Sequence, residues 1–131
     1  MIPILSTKEL SKIYQHRDGP VNALKNISLE INKGAFVTIT GSSGSGKTTL
    51  LLALSGLIKP TSGSINFFNK VVSNFSDREM SKYRQENVGF IMQNFSLVPY
   101  MTAIQNTIFP LILNGHSKNE QYKLATNALK T

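Results

Sequence analysis

The run Gly41–Thr48, GSSGSGKT, fits the pattern G-x-x-x-x-G-K-[ST] and is the stretch best suited to chemistry. Glycines at 41, 44 and 46 permit positive backbone φ and let main-chain N–H groups approach an anion closely. Such amides, with those of the helix that follows, offer partial positive charge to a phosphate. On this reading Gly41, Ser42, Ser43, Gly44, Ser45 and Gly46 wrap a phosphate tail, and Lys47, Thr48 and Thr49 meet it from the head of a helix. Lys47 then reaches the outer phosphates of a nucleoside triphosphate, where phosphoryl transfer needs charge stabilisation, and the Thr48 hydroxyl binds Mg²⁺. The expected ligands are ATP and Mg²⁺, with Lys47 catalytic as well as binding. The plain alternative is a flexible Gly/Ser surface turn. The flanks argue against it: Phe36–Thr40, FVTIT, reads as a buried strand, and Lys47 to about Leu57 as an amphipathic helix.

The elements that position this loop can be read outward from it. Residues 4–15 read as a strand burying Ile4, Leu10 and Ile13, residues 16–20 as a turn, and residues 23–31 as a second strand in which Ile27, Leu29 and Ile31 alternate with polar residues. Asn32-Lys33-Gly34 is a tight turn into FVTIT. The helix after the loop carries Leu50, Leu51, Leu54 and Leu57 on one face and is weakened at its end by Gly56. Pro60–Gly63 is a turn and Ser64–Phe68 a strand. Ser76 with Glu79 is a capping box that opens a helix to about Glu86, and Val88–Met92 is a buried strand ending at Gln93. Thr102 with Gln105 opens a helix that Pro110 should kink and Gly115 should stop; Ser117 with Glu120 opens another, towards Thr131. The order is that of an α/β fold with antiparallel strands ahead of a strand–loop–helix unit.

The chain has 131 residues, 40% hydrophobic and 16% charged, a composition for one packed domain rather than for disorder. It has no cysteine, which excludes disulfides, thiolate metal sites and a thiol nucleophile. The net charge of +7 suits an anionic partner, whether nucleotide phosphate, nucleic acid or acidic lipid. The basic residues are scattered, however, as on a solvated surface. The start MIPILSTKEL lacks a basic lead and is interrupted by Pro3, Ser6 and Thr7, so it does not read as a secretory signal. No apolar run is long enough to span a membrane.

Beyond the loop, the sequence resembles the N-terminal part of an ATP-binding-cassette (ABC) transporter ATPase. Tyr14, on the early strand, matches the family's aromatic that stacks on adenine, a role that suits a π face. LIKPTSGSINF matches the turn and strand behind the P-loop helix. VGFIMQNFSLVPYMTAIQNT matches the Q-loop; the resemblance implies that Gln93 lies near Mg²⁺ and the attacking water, as a catalytic residue and metal ligand. It also implies that the Asn94–Tyr100 loop leads into the helical subdomain and faces an integral-membrane permease subunit. SDREMSKYRQENVGFIMQNFSLVPYMTAIQNT and HRDGPVNALKNISLEI look most like the ATPases of lipoprotein-release, macrolide-export and peptide-resistance transporters.

The fold so implied is a P-loop NTPase of ABC-ATPase type with the C-terminal part of its domain missing. Residues 1–40 form the antiparallel β-subdomain and P-loop strand, 41–93 the core from P-loop to Q-loop, and 94–131 the start of the helical subdomain. Family members dimerise head-to-tail and work in the cytoplasm, peripheral to the inner face of the cell membrane. The LSGGQ-type signature, the acidic Walker B strand with its catalytic Glu, the switch His and the dimer-contact loop have no match here, and neither His16 nor His116 fits the switch position. The expectation is a chain that binds Mg·ATP and, alone, hydrolyses it barely or not at all. Other classes stay open: a nucleotide kinase, a non-catalytic nucleotide-binding module, or a cassette ATPase of DNA repair or translation. Kinases usually place the loop near the chain start, and no aromatic-interleaved basic stripe supports nucleic acid, so none is expected as a partner.

Overall fold

A computed structural model describes residues 3–94 and 96–130. The chain divides into two compact units, one up to Val88 and one from Gly89 onward.

The first unit is built on a hairpin. Strand β1 (Leu5–His16) pairs antiparallel with β2 (Gly19–Ile31), with Leu5 opposite Ile31, Lys12 opposite Leu24 and Tyr14 opposite Val21. The ladder slips between Thr7 and Leu10 and again before Lys12. Side chains bridge the slips: the Thr7 hydroxyl donates to Ile27 O at 2.9 Å and accepts from the Leu29 amide at 3.2 Å. The Ser11 hydroxyl accepts from the Asn26 amide at 2.9 Å, so backbone groups that lost a ladder partner stay satisfied. Strand β3 (Ser62–Phe67) pairs antiparallel with the other edge of β1, and the short β4 (Lys70–Val71) with β3, giving the order β2-β1-β3-β4.

Helix α1 (Lys47–Leu54), a short 3₁₀ turn (Val72–Asn74) and helix α2 (Asp77–Asn87) complete this unit. Its core joins Leu10, Leu24 and Ile65 of the sheet to Leu50, Ala53 and Leu54 of α1, to Val72, and to Met80 and Tyr83 of α2. Each fully buried side chain of this size contributes roughly 1.5–3 kcal/mol. The buried face of α1 is therefore 50, 53 and 54. Leu51 stays exposed because it lies about 100° round from that face, and Leu57 lies past the helix end. Gly56 sets that end: its amide donates to Ala53 O at 3.0 Å and the Leu57 amide to Leu52 O at 2.9 Å, a Schellman closure.

The second unit contains α3 (Ala103–Leu113) and α4 (Lys118–Ala128), which pack on each other with Ile108 and Ala125 buried. The expected capping boxes of α2, α3 and α4 are all formed. Helix α3 contains Pro110 in its interior, and Gly115 closes it, as expected.

Two expected strands are not formed. Phe36–Thr40 and Val88–Met92 have the apolar composition of strands, but among the described residues neither enters a hydrogen-bonded ladder. Val88 instead caps α2, donating to Arg84 O at 3.1 Å. Phe36 is 97% exposed and Ile91 94%. Composition favours an extended backbone, but a strand exists only where a neighbour supplies its hydrogen bonds.

Candidate nucleotide site

After FVTIT, which forms no ladder among the described residues, the chain curls at once. Ser43 and Gly44 form a turn, the Ser45 amide donates to Ser42 O at 3.3 Å, and the helix begins at Lys47. Gly46 is the N-cap of α1, at φ 88° and ψ 4°. A β-carbon there would run into the Ala23 carbonyl oxygen of β2 and lie 3.3 Å from the Leu24 side chain. Only glycine allows this backbone-to-backbone seating, which fixes the head of α1 against the hairpin.

The first helical bond is Leu50 N–H to Gly46 O at 2.8 Å, so the amides of Lys47, Thr48 and Thr49 precede any acceptor within the helix. Helices α2, α3 and α4 each satisfy such amides with a capping box, whereas α1 has no side-chain cap. The head of α1, which follows the glycine loop, is thus left without a side-chain cap, the arrangement that suits an anion.

Lys47 crosses the mouth of this loop. Its ammonium donates to Gly41 O at 2.9 Å and to Ser42 O at 2.6 Å, with Ser45 Oγ at 3.4 Å. A cation is thus held inside the curl, beside the free amides. Thr48 is exposed at the helix head and Thr49 half-buried. Among the described residues no group of three His, Cys, Asp or Glu side chains could hold a metal. A hard cation at Thr48 would therefore draw its remaining oxygens from phosphate and water, the usual manner of Mg²⁺.

Tyr14 is half-buried on β1, two residues beyond Lys12, whose partner Leu24 is where Gly46 rests. The Lys12 ammonium lies 5.3 Å from the Tyr14 ring centroid and donates to Lys59 O at 2.7 Å. Lys59 in turn pairs with Asp77 at 3.0 Å, and this hydrogen-bonded cation holds the Asp77 carboxyl below its ordinary range.

Tyr14 and the loop belong to the first unit; Gln93 belongs to the second, where it is exposed on a turn. Within the loop expected to face a partner, Phe95 lies outside the described residues, while Leu97 and Tyr100 are 65% and 86% exposed. The loop is tied down by Asn106, which sequence reasoning missed. Its Oδ1 accepts from the Val98 amide at 2.8 Å, and its Nδ2 donates to the carbonyls of Val98, Met101 and Thr102 at 3.1–3.3 Å. Lys12 was missed too. Its signal was the two-residue spacing from Tyr14, which puts both on one face of a strand. An aromatic groove lined by Phe67, Phe68, Phe75 and Tyr83 lies elsewhere in the first unit and does not touch the loop.

Residues 24–131 match the family described as ABC transporter. This chain belongs to the ABC transporter ATPase family. It is 41% identical over 127 residues to the lipoprotein-releasing system ATP-binding protein LolD of Buchnera aphidicola subsp. Acyrthosiphon pisum, covering 97% of this chain and 56% of that protein. It is 38% identical over 130 residues to the uncharacterized ABC transporter ATP-binding protein MJ0796 of Methanocaldococcus jannaschii, covering 97% and 55%. The structure superposes on that of a dimeric, post-hydrolysis ATP-binding cassette MJ0796 bound to ADP and Pi, with a TM-score of 0.90 at 38% identity over 96% of this chain and 56% of that one. The fold is therefore that of the ABC ATPases, and the chain spans about 56% of the length of these relatives. Among the described residues no helix is long and apolar enough to cross a membrane.

Proposed function

We propose that this chain is the nucleotide-binding part of an ABC transporter ATPase, which grips Mg·ATP through Gly41–Thr49. The single observation that carries this reading is the uncapped head of α1 beneath the curled glycine loop, with the Lys47 ammonium held 2.9 Å and 2.6 Å from Gly41 O and Ser42 O. Bound there, Mg²⁺ supplies charge neutralisation to the outer phosphates. The Thr48 hydroxyl is its protein ligand in the first unit, and Tyr14 stacks on the base. Gln93 acts on the metal and on water, as the family resemblance implies, and residues 94–100 face an integral-membrane permease. The solved relative is dimeric, which supports a paired chain, and the head-to-tail arrangement is what the family resemblance implies. Such a chain works on the cytoplasmic face of a membrane.

Turnover by these 131 residues alone is expected to be negligible. No acidic residue lies between Glu30 and Asp77, so no carboxylate flanks the loop in sequence. Of the seven acidic residues, Glu79 and Glu120 serve as caps and Asp77 and Glu86 pair with Lys59 and Lys82, while Glu9, Asp18 and Glu30 lie on the β1–β2 hairpin. That observation favours a second reading for the chain by itself, a nucleotide-binding module without catalysis.

Titration with a fluorescent ATP analogue, with and without Mg²⁺, tests the proposal. The chain should bind it, and Lys47→Ala should weaken binding about ten- to a hundred-fold, the effect of losing a charge-assisted contact. Equal affinity in parent and variant would overturn the phosphate role. A robust, Lys47-dependent hydrolysis rate would overturn the expectation of a silent chain.

A further inference from the structure

Three contacts from the segment that follows the P-loop helix fall on Ser11, Lys12 and Ile13, the residues of β1 just before Tyr14. Lys59 O fixes the Lys12 ammonium at 2.7 Å, and that ammonium lies 5.3 Å from the ring centroid. Thr61 Oγ1 accepts from the Ile13 amide at 3.0 Å, and the Thr61 amide donates to Ser11 O at 2.8 Å. β3 begins opposite Ser11, so past that point the turn replaces it as the neighbour of β1. An aromatic ring has two faces. A cation held over one is attracted by the ring quadrupole and fixes the ring, and it leaves the opposite face for a planar partner.

We infer that Lys12 is a positioning residue for base recognition: anchored by the Lys59 carbonyl, it holds one face of the Tyr14 ring so that the purine of the nucleotide stacks on the other. This rests on the stacking role proposed for Tyr14. The two can fail separately, because Tyr14 acts by contact and Lys12 only through Tyr14. The brace starts from the segment that follows α1, the helix whose head is proposed to hold the phosphates. Lys12 has no part in gripping phosphate, so its effect should appear only with ligands that carry a base.

The test uses the full chain and two probes, a fluorescent ATP analogue and inorganic tripolyphosphate, with four variants. Lys12→Met keeps the stem and removes the charge. It should weaken the ATP analogue about three-fold, the effect of one exposed cation–π contact, and leave tripolyphosphate unchanged. Lys12→Arg, which restores a cation, should recover the parent affinity. In a Tyr14→Ala background Lys12→Met should have no further effect, whereas a role in folding or general charge would persist there. If Tyr14→Ala itself leaves ATP affinity intact, the stacking reading falls and this inference with it. If Tyr14→Ala weakens binding but Lys12→Met does not, or strengthens it, the stacking reading stands and the Lys12 role is overturned. Equal loss for tripolyphosphate, or for the double and single variants, also overturns it. A parent chain that binds neither probe overturns the whole site.

Discussion

At Gly46 two demands meet in one residue: a left-handed φ of 88° and an α-carbon pressed against the Ala23 carbonyl. Gly44 carries only the first, φ 77° with open space where a side chain would go. Alanine at 44 should therefore cost only the backbone term, on the order of 1 kcal/mol. Alanine at 46 must also push β2 away from the helix head, so about 2–4 kcal/mol is expected, with loss of nucleotide binding. Thermal denaturation of Gly44→Ala and Gly46→Ala would decide; equal destabilisation would remove the steric account. The identity of the loop was legible in its residue types. Its seat was not, because the partner of Gly46 is a carbonyl 23 residues earlier, and backbone oxygens look alike in any sequence. The same holds for Asn106: an Asn on a helix is ordinary until the chain before that helix folds back onto it.

Among the helices, the local chemistry of the ends was the most legible feature, since a capping box lies within four residues and needs no tertiary partner. Ser76–Glu79, Thr102–Gln105 and Ser117–Glu120 all close as read. Two of these boxes depend on a carboxylate. Hydrogen bonds from the Ser76 hydroxyl and amide hold Glu79 below its ordinary range, and Ser117 does the same for Glu120. A carboxyl whose folded pKa is depressed stabilises the fold above its unfolded value, and that contribution is lost as pH falls through the folded one. Helix content should therefore hold down to about pH 4–5 and decline below it. Glutamine accepts the same bond without titrating, as Gln105 already does in α3. Far-UV circular dichroism of the double variant Glu79→Gln, Glu120→Gln should show a flatter acid limb than the parent. Identical limbs would mean that acid acts elsewhere. Reading by period alone went astray at α1, which turns Leu50, Ala53 and Leu54 to the core rather than Leu51 and Leu57.

Across the molecule, strands were legible only as composition. The β1–β2 hairpin formed because each strand brought the other's hydrogen bonds within a short loop, while Phe36–Thr40 and Val88–Met92 carry the same kind of apolar sequence without a ladder among the described residues. The consequence is exposed apolar backbone: Phe36 is 97% exposed and Val37 53%, next to β2, and Ile91 is 94% exposed in the second unit. Unpaired segments of this composition are templates for another chain, and native proteins suppress them with charge. The isolated chain should therefore associate as its concentration rises, despite a net charge of +7 that resists contact. Added salt screens that repulsion without weakening apolar burial, so association should grow with ionic strength, the opposite of an electrostatic complex. Phe36→Lys and Ile91→Lys remove the two most exposed apolar side chains from separate units, and each should reduce association without altering nucleotide affinity. Light scattering over a concentration series at low and high salt reads the effect directly. A parent chain that stays monomeric throughout would mean that these segments find their partners within the chain itself.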